Sequence, residues 1–536
     1  MTTDPTTRQQ MPPEEPPLIP QVNRSDHCSP FSIMHDMHSS ISRSCMLSLV
    51  LCGLVMLVVM ADFMFTLRVT PVSLEKVRMS ESRQSSNLTI GHNVSAHKWE
   101  GEVHDSSYRP PPPDHGDSSF SADDVNRMEE QFVFTIHETA RRTIDKRGIV
   151  LPLFDNIATL GVSLILELRA MDVHVPIEIP HCGDLKDSTI HTVLEQEEVG
   201  VLHFYDVCEL ASETVSVQDA SVKVFCESLS NCYESFRSFD IKILAVTFSR
   251  FEEVMLLDAD TLFFESPMSL WDTDKYLSTG TLFFHDRLVE DKMFMSNIPK
   301  GSNGDVRQIH DFMSRFDVSP FKPLGHIERP KATSENKVPV TLHFSPSEQL
   351  LTSHSWNYRA GHEMDSSLVL WNKKRQPRAT AILGAFVARN RVGRPPSYGD
   401  KELFFVATEL AETKYAFSDF GTGAAGWDFR DSGPGKSVLC GSATHYYPAK
   451  AEDERLAANA SVLYLNSDNI LVYDPKTKPL YYTQARLCEV YPGNVSESGV
   501  ASMCPFDVTG VRFSLEQEDH MLLRQHFHEI AKAWME

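Results

Sequence analysis

The sequence predicts an α/β fold in which a mostly parallel sheet is flanked by helices on both faces. Short apolar segments that are typical of buried strands alternate with segments of helical period between residues 148 and 258. This alternation is characteristic of parallel sheets, because parallel neighbours need a long connection, usually a helix. The chain has 536 residues, of which 41% are hydrophobic, and this is enough for a large core.

Strands and helices follow one another in turn along the chain. In chain order, we predict a strand at 148–152, a helix at 156–171, a strand at 175–179, a helix at 190–198, a strand at 201–205, a helix at 241–248 and a strand that ends before Asp258. In such sheets ligands bind at the carboxyl ends of the strands. Residues 286–350 are polar and rich in turn formers, which predicts an insertion or mobile loop, and residues 515–534 are typical of an amphipathic helix.

An apolar segment near the amino terminus predicts a membrane anchor. Residues 45–67 are apolar except for Ser48, Asp62 and Thr66, and the run before Asp62 is close to the lower limit for a spanning helix. A signal peptide is the alternative, but the polar tail before the segment is long and no small-residue cleavage site stands out. Four of the five N-glycosylation sequons follow the segment, at Asn87, Asn93, Asn459 and Asn494. We therefore expect a single-pass type II membrane protein.

The anchor divides the chain into four predicted regions. They are a disordered cytosolic tail at 1–44, a transmembrane signal anchor at 45–67, a lumenal stem at 68–123 and a lumenal catalytic domain at 124–536. The stem contains four consecutive prolines from Pro110, which favour an extended polyproline II conformation. The stem is thus expected to hold the catalytic domain away from the membrane.

Charge and cysteine content limit the partners and the compartment. The formal net charge is -23, and without a basic face the chain is not expected to bind nucleic acid. The ten cysteines show no metal-binding spacing, and seven of them follow the anchor. In an oxidising lumen we expect one to three disulfides, with Cys226–Cys232 as the nearest candidate pair.

The run from Val254 to Phe264 carries the most specific chemical signal. An apolar strand leads into Asp258 and Asp260, and apolar residues resume after Thr261. Two carboxylates at the end of a buried strand need compensation, because burying an unpaired carboxylate costs several kcal/mol. A divalent cation supplies it in enzymes that bind nucleotide diphosphates, where carboxylate and phosphate oxygens share one metal.

The segment from Ile241 to Asp260 resembles the fungal-type Golgi α-mannosyltransferases of glycosyltransferase family 71. Four further blocks agree with the family in the same order: 176–179, 279–287, 398–405, and 440–441 followed by His445. The resemblance covers roughly residues 145–470. It implies a GT-A fold, a type II topology in the Golgi membrane, GDP-mannose as the donor, and a divalent metal, usually Mn²⁺.

The resemblance also implies roles for the residues of the predicted metal site. Asp260 would bind the metal directly, and Asp258 would hold the donor ribose or a second metal position. His445 would be the third metal ligand, since imidazole is acceptable to Mn²⁺, although an ordinary loop histidine is the alternative.

Four other residues receive roles toward donor and acceptor. Lys242 would reach the donor phosphates or ribose, unless it is a solvated helix lysine. Asp365 would lie near the anomeric carbon, either as a nucleophile or stabiliser or, as we favour, as a hydrogen-bond acceptor for sugar hydroxyls. Asp400 would bind acceptor hydroxyls or merely cap a helix, and Lys401 would pair with phosphate or form a surface ion pair.

The chain departs from the family at Asp365-Ser366-Ser367, where members usually have Glu-Ser-Gly. A catalytically inert membrane glycoprotein with the same fold is therefore one alternative, and a transferase that uses a UDP-sugar is another. A HAD-type phosphohydrolase is disfavoured, because Leu262 replaces the required Thr or Val. The favoured prediction is a metal-dependent retaining α-mannosyltransferase, specific for an α-1,2 or α-1,3 linkage, that transfers mannose to a glycan of a glycoprotein.

Overall fold

The computed structural model describes residues 131–536, apart from residues 198, 237–238, 289–292, 303, 334–338, 390–393, 434–435, 449–459, 468–470, 472–473, 475–478 and 489–509. These residues all belong to one structural unit, residues 95–536. The predicted tail, anchor and stem lie outside the described residues, as do the four sequons that follow the anchor. Of the helices that are described, none is both long and apolar enough to cross a membrane.

Twelve strands are present in the described part of the chain. They are β1 (Asp145–Val150), β2 (Ile177–His181), β3 (Leu202–Asp206), β4 (Phe251–Leu257), β5 (Thr261–Phe263), β6 (Thr281–His285), β7 (Met364–Asn372), β8 (Gly423–Gly433), β9 (Lys436–Tyr446), β10 (Val462–Asn466), β11 (Tyr481–Thr483) and β12 (Gly510–Arg512). They form two six-stranded sheets, with the orders β3-β2-β1-β4-β7-β6 and β12-β11-β8-β9-β10-β5.

The α-helices of the described residues connect and cover these strands. They are α1 (Gln131–Arg141), α2 (Asp155–Ala170), α3 (Asp187–Gln196), α4 (Val207–Glu213), α5 (Leu229–Ser235), α6 (Asp240–Phe248), α7 (Asp274–Thr279), α8 (Gln308–Arg315), α9 (Glu348–Thr352), α10 (Pro377–Ala385), α11 (Leu403–Leu410) and α12 (Leu515–Met535). Helix α12 begins with a capping box, in which Ser514 and Gln517 exchange side-chain and backbone hydrogen bonds.

The first sheet carries the predicted parallel strands. Strands β1 to β4 pair in parallel, and in register Ile149 lies beside Ile177 on one side and Met255 on the other. Neighbouring residues of β4 belong to different cores, since Leu256 packs with the helices of one face and Met255 with those of the other. The sheet is therefore covered by helices on both faces, as the alternating sequence pattern predicted. The elements predicted in this region differ from the observed ones only by a few residues at their ends, but helices α4 and α5 were not predicted.

The order in which strands are added to the sheet changes direction between β1 and β4, which are parallel neighbours. Strands β2 and β3 add on one side of β1, whereas β4 adds on the other. A reversal of this kind opens a crevice outside the carboxyl ends of the strands, where nucleotides bind in open α/β sheets. The acidic pair Asp258 and Asp260 follows β4 at this point, so the topology places it at the mouth of the crevice.

Three parts of the architecture differ from the sequence prediction. Strand β7 runs antiparallel to both β4 and β6, so the first sheet is mixed on one side. The second sheet is antiparallel in all its pairings and was not predicted. Residues 286–350 are not simply a loop, because they contain α8 and α9, and Ile309 and Met313 of α8 are fully buried in the core.

Two disulfides are present among the described residues, which agrees with the expected one to three. The predicted pair Cys226–Cys232 is confirmed, and Cys182 pairs with Cys208. The second bond joins the residue after β2 to helix α4, beside the carboxyl ends of the parallel strands. It therefore constrains the loops at the edge of the sheet where the crevice opens.

Candidate functional site

The site is built around the turn that carries Asp258 and Asp260, the acidic turn. It connects β4 of the first sheet to β5 of the second. The backbone N–H of Asp258 donates to the Ser367 carbonyl at 2.9 Å, and that of Thr261 donates to the Asp258 carbonyl at 3.2 Å. Asn466 Nδ2 donates to Asp260 Oδ1 at 2.7 Å. Both sheets thus hold the turn.

Lys242 brings the acidic turn together with a second acidic residue. Its Nζ lies 2.6 Å from Asp258 Oδ1, 3.3 Å from Asp400 Oδ2 and 3.5 Å from Ser366 Oγ. Burial alone would lower the pKa of Lys242, but the two carboxylates outweigh burial and raise it. Lys242 is therefore a charged residue of the site and not a solvated helix lysine.

The pKa values of both carboxylates of the acidic turn are raised, even though Lys242 lies beside them. Burial raises the pKa of Asp258 to about 7, with Lys242 opposing this effect and Asp260 and Asp400 adding to it. Burial also raises the pKa of Asp260, with a further contribution from the charge of Asp365. A site in which the ionised forms are disfavoured in this way would be stabilised by a bound cation.

Asp365 and His445 meet on the other side of the acidic turn. His445 Nε2 lies 3.2 Å from Asp365 Oδ2, and the imidazole stacks on the Tyr464 ring at 4.5 Å between centroids. The second carboxylate oxygen of Asp365 accepts the backbone N–H of Ser367 at 2.7 Å. Burial would raise the pKa of Asp365, but its contacts with His445 hold it well below the usual range. Asp365 is therefore an ionised, well-oriented carboxylate.

The turn before α11 contributes Asp400 and Lys401. The helix begins at Leu403, and no side chain caps it, so helix capping does not account for Asp400. Asp400 is 2% exposed and faces Lys242 instead. Lys401 Nζ lies 2.5 Å from Oδ2 of the buried Asp286, at the end of β6. Lys401 is therefore in a partly buried ion pair beside the site and not in an exposed one.

An exposed aromatic surface lies next to Asp400, formed by Phe239, Phe294 and Tyr398, and we call it the aromatic rim. Tyr398 is 55% exposed, and its ring lies 5.7 Å from that of Phe239 and 5.6 Å from that of Phe294. Gly399 has φ +70°, and a Cβ there would lie 2.6 Å from the Phe239 ring, so only glycine fits this turn. The close packing fixes Tyr398 beside Asp400.

The donor set fits a divalent cation in its chemistry. Two carboxylates lie together at a strand end, and hard oxygen ligands are those that Mg²⁺ and Mn²⁺ prefer. Across the described residues, however, no three His, Cys, Asp or Glu side chains are already arranged as a metal site. His445 contacts Asp365 rather than the acidic pair. The metal roles of Asp258, Asp260 and His445 stay predictions.

The structure brings the seven predicted site residues together at one edge of the first sheet. Lys242 and Asp400 contact one another, as do Asp365 and His445, and Asp365 and Asp260 interact through their charges. The sequence prediction missed Asp286, which pairs with Lys401. It also missed Asn466, because that residue lies on β10 of the unpredicted second sheet.

Several curated proteins are similar to this chain over part of their length. "Alpha-1,3-mannosyltransferase MNT2" of Saccharomyces cerevisiae is 27% identical over 352 residues, which cover 65% of this chain and 55% of that protein. "Alpha-1,3-mannosyltransferase MNN1" of the same yeast is 23% identical over 287 residues, which cover 52% of this chain and 35% of that protein. The chain thus spans about a third to about half of the length of these relatives.

Solved structures are similar only at a low level. The apo structure of the bifunctional glycosyltransferase WbbM has a TM-score of 0.27 and 13% identity and covers 51% of this chain and 38% of WbbM. The galactosyltransferase LgtC with donor and acceptor sugar analogues also has a TM-score of 0.27, with 11% identity and coverage of 51% of this chain and 73% of LgtC. TM-scores of this size carry no argument about fold or function.

A family model matches the part of the chain that contains the site. The family is described as "Mannosyltransferase putative", and the match extends over residues 146–446, which is more than half of the chain. The matched region begins in β1 and ends with β9, so it includes the acidic turn, Lys242 and His445. The chain belongs to this mannosyltransferase family.

Proposed function

We propose that this protein is a retaining α-mannosyltransferase that transfers mannose from GDP-mannose to a hydroxyl group of a glycan. The observation that carries the proposal is the acidic turn with Lys242, at the point where the strand order of the first sheet reverses. This is where an α/β sheet binds a nucleotide, and the turn lies within the family match. The fold we assign on this basis is the GT-A fold.

Donor binding would use the charges of the acidic turn. Asp258 and Asp260 would hold a divalent cation, Mn²⁺ or a similar metal, which would offset the charge of the diphosphate as the nucleotide leaves. The raised pKa of both carboxylates supports this assignment, because burial disfavours their ionised forms even though Lys242 opposes the shift, and a bound cation would favour those forms. Lys242 would lie beside the bound diphosphate and hold Asp258 in place through their contact.

Asp365 is proposed to orient sugar hydroxyls and not to attack the anomeric carbon. Its two oxygens are already engaged, one by His445 and the other by the backbone of Ser367. It stays ionised, so it would accept hydrogen bonds from the mannose hydroxyls and stabilise positive charge that develops on the sugar. In the transfer, the bond between the anomeric carbon and the diphosphate breaks, the acceptor oxygen bonds to the anomeric carbon on the same face, and the proton of the acceptor hydroxyl passes to an oxygen of the leaving diphosphate.

The acceptor is proposed to bind on the side of Asp400 and the aromatic rim. The carboxylate of Asp400 is buried and directed at Lys242, and the exposed ring of Tyr398 is two residues away. Exposed aromatic faces bind the apolar faces of sugar rings, while a neighbouring carboxylate accepts bonds from their hydroxyls. An acceptor sugar on Tyr398 would therefore lie between the rim and the donor site.

Linkage and compartment are proposed from the relatives and the sequence. An α-1,3 linkage is favoured over α-1,2, because both relatives described above are named as α-1,3-mannosyltransferases. The apolar segment at 45–67 and the sequons support a type II anchor and a Golgi location. The acceptor would then be a glycan on a secreted or surface protein.

The test is a thermal-shift panel of the full chain with GDP, UDP, GDP-mannose and UDP-sugars, each with and without Mn²⁺. We expect GDP and GDP-mannose to raise the melting temperature, and only when Mn²⁺ is present. A shift with the uridine nucleotides alone would instead support a UDP-sugar transferase. No shift with any nucleotide would support a catalytically inert glycoprotein and overturn the proposal.

A further inference from the structure

The C-terminal helix α12 contacts the backbone of the acidic turn through one buried arginine, Arg524. Arg524 of α12 is 0% exposed, and each of its five N–H donors is directed at an acceptor. Nε donates to Ser163 Oγ at 3.0 Å, and Nη2 donates to the Leu160 carbonyl at 3.2 Å. Nη1 donates to the carboxylate of Glu167. These contacts fix the guanidinium against α2.

The remaining two hydrogen bonds of Arg524 go to the backbone of the acidic turn. Nη2 donates to the carbonyl of Ala259 at 3.0 Å, and Nη1 donates to the carbonyl of Thr261 at 3.2 Å. Ala259 and Thr261 are the two neighbours of Asp260. The planar guanidinium therefore binds the carbonyl groups of both residues that flank Asp260.

Glu167 completes the contact from helix α2. It is 0% exposed, and its Oε1 accepts the backbone N–H of Phe263 at 3.0 Å and contacts His520 Nε2 at 2.8 Å. Together, Arg524 and Glu167 bind three backbone groups between residues 259 and 263. Burying an ion pair is a poor way to gain stability, because desolvation offsets the attraction, but it fixes geometry well.

We propose that Arg524, paired with Glu167, is a positioning residue that sets the direction of the Asp258 and Asp260 carboxylates. The inference rests on the proposed function, in which these carboxylates bind the metal and diphosphate of the donor. A displacement of about 1 Å at such a site is enough to cost roughly a hundredfold in rate. Arg524 lies beyond the family match at 146–446, so the site includes a segment outside that match.

The experiment compares the full chain with Arg524→Lys. Lysine keeps the charge beside Glu167 but lacks the planar fork that reaches both carbonyls. The affinity for GDP in the presence of Mn²⁺ is expected to fall about tenfold, as for the loss of hydrogen bonds to a charged donor. Hydrogen exchange at the Phe263 amide is expected to become faster, and this readout needs no ligand.

The matched control is Ser514→Ala, which removes the cap of α12 without touching the acidic turn. It is expected to lower the melting temperature while leaving the affinity for GDP and the exchange of the Phe263 amide unchanged. Equal losses of affinity in both variants, or no loss in Arg524→Lys, would overturn the inference. If the wild-type chain does not bind GDP, the proposed function fails, and unchanged exchange in Arg524→Lys would separately overturn the positioning role.

Discussion

The ammonium group of Lys242 lies 2.6 Å from Oδ1 of Asp258, and this ion pair connects helix α6 directly to the acidic turn. Asp258 is otherwise placed by its backbone, which pairs with β7 at Ser367. The side chain of Asp258 is thus held by the ammonium group of Lys242 on α6, and its main chain is held by strand β7. Because Lys242 also faces Asp400, one lysine links the proposed donor and acceptor sides of the site.

Lys242→Met is expected to weaken both folding and donor binding. It leaves the carboxylates of Asp258 and Asp400 without their cation, and breaking a buried pair typically costs about 3–5 kcal/mol of unfolding free energy. Urea denaturation and GDP titration with Mn²⁺ would measure the two effects. Lys300→Met, at an exposed lysine, is the control and should change stability by no more than about 0.5 kcal/mol. Unaltered GDP binding in Lys242→Met would argue against its role.

Asp260→Asn is expected to abolish mannose transfer while the fold is retained. The amide has the shape of the carboxylate and can still accept the hydrogen bond from Asn466, but it lacks the charge that a metal requires. Because burial already disfavours the ionised form of Asp260, the melting temperature should stay the same or rise. Transfer assays with GDP-mannose and a mannose acceptor would test this, with the exposed Glu195→Gln as the control. Full activity in Asp260→Asn would contradict the proposed mechanism.

Tyr398→Ala is expected to raise the KM for the acceptor by roughly three- to tenfold, as for the loss of an aromatic contact worth about 1 kcal/mol. The KM for the donor should not change, because the rim lies beside Asp400. Tyr398→Phe keeps the ring and should restore the acceptor KM. Leu277→Ala, at an exposed leucine of α7, controls for a general loss of apolar surface. If only the KM for the donor increased, the aromatic rim would instead bind the guanine base of the donor, and not the acceptor.

The parallel half of the fold was predictable because its sequence is locally consistent. Strands that are buried on both faces are short apolar runs, and Val254 to Leu257 could hardly be anything else. The acidic pair was found for the same reason, since polar groups at the end of such a run are conspicuous, whereas Lys242, in the helix before the strand, was found only through the family resemblance. The second sheet could not be predicted, because β8 and β9 contain small and polar residues and lack a clear alternation.

The contacts that hold the site were hidden because they join residues that are distant in the chain. Asn466 and Arg524 reach the acidic turn from β10 and α12, more than 200 residues after it. An arginine in an amphipathic helix is expected on the solvent side, and only the packed structure reveals that Arg524 is buried. Likewise, residues 286–350 look like a loop, because their helices α8 and α9 are too short to give a strong periodic signal.

The last prediction concerns Glu178, a buried carboxyl group in β2 that is 2% exposed. Its Oε1 accepts the backbone N–H of Arg250 at 3.0 Å. Burial raises the pKa of Glu178 from its ordinary value of 4.5 to about 7, although Arg250, Ser249 and Lys373 all oppose the shift. Between about pH 4.5 and 7 the folded state therefore keeps a proton that the unfolded state has released, so the stability contributed by this group is lost as the pH rises.

Glu178→Gln removes this titration while keeping the oxygen that accepts from Arg250. We expect the wild-type chain to lose up to about 3 kcal/mol relative to Glu178→Gln as the pH rises from about 4.5 to 7. Urea unfolding of both proteins across this window would measure the difference. Glu195→Gln, at an exposed glutamate of α3, should follow the wild type throughout. If the Glu178→Gln and wild-type curves run parallel, Glu178 titrates normally in the fold and the neighbouring Lys373 compensates its charge fully.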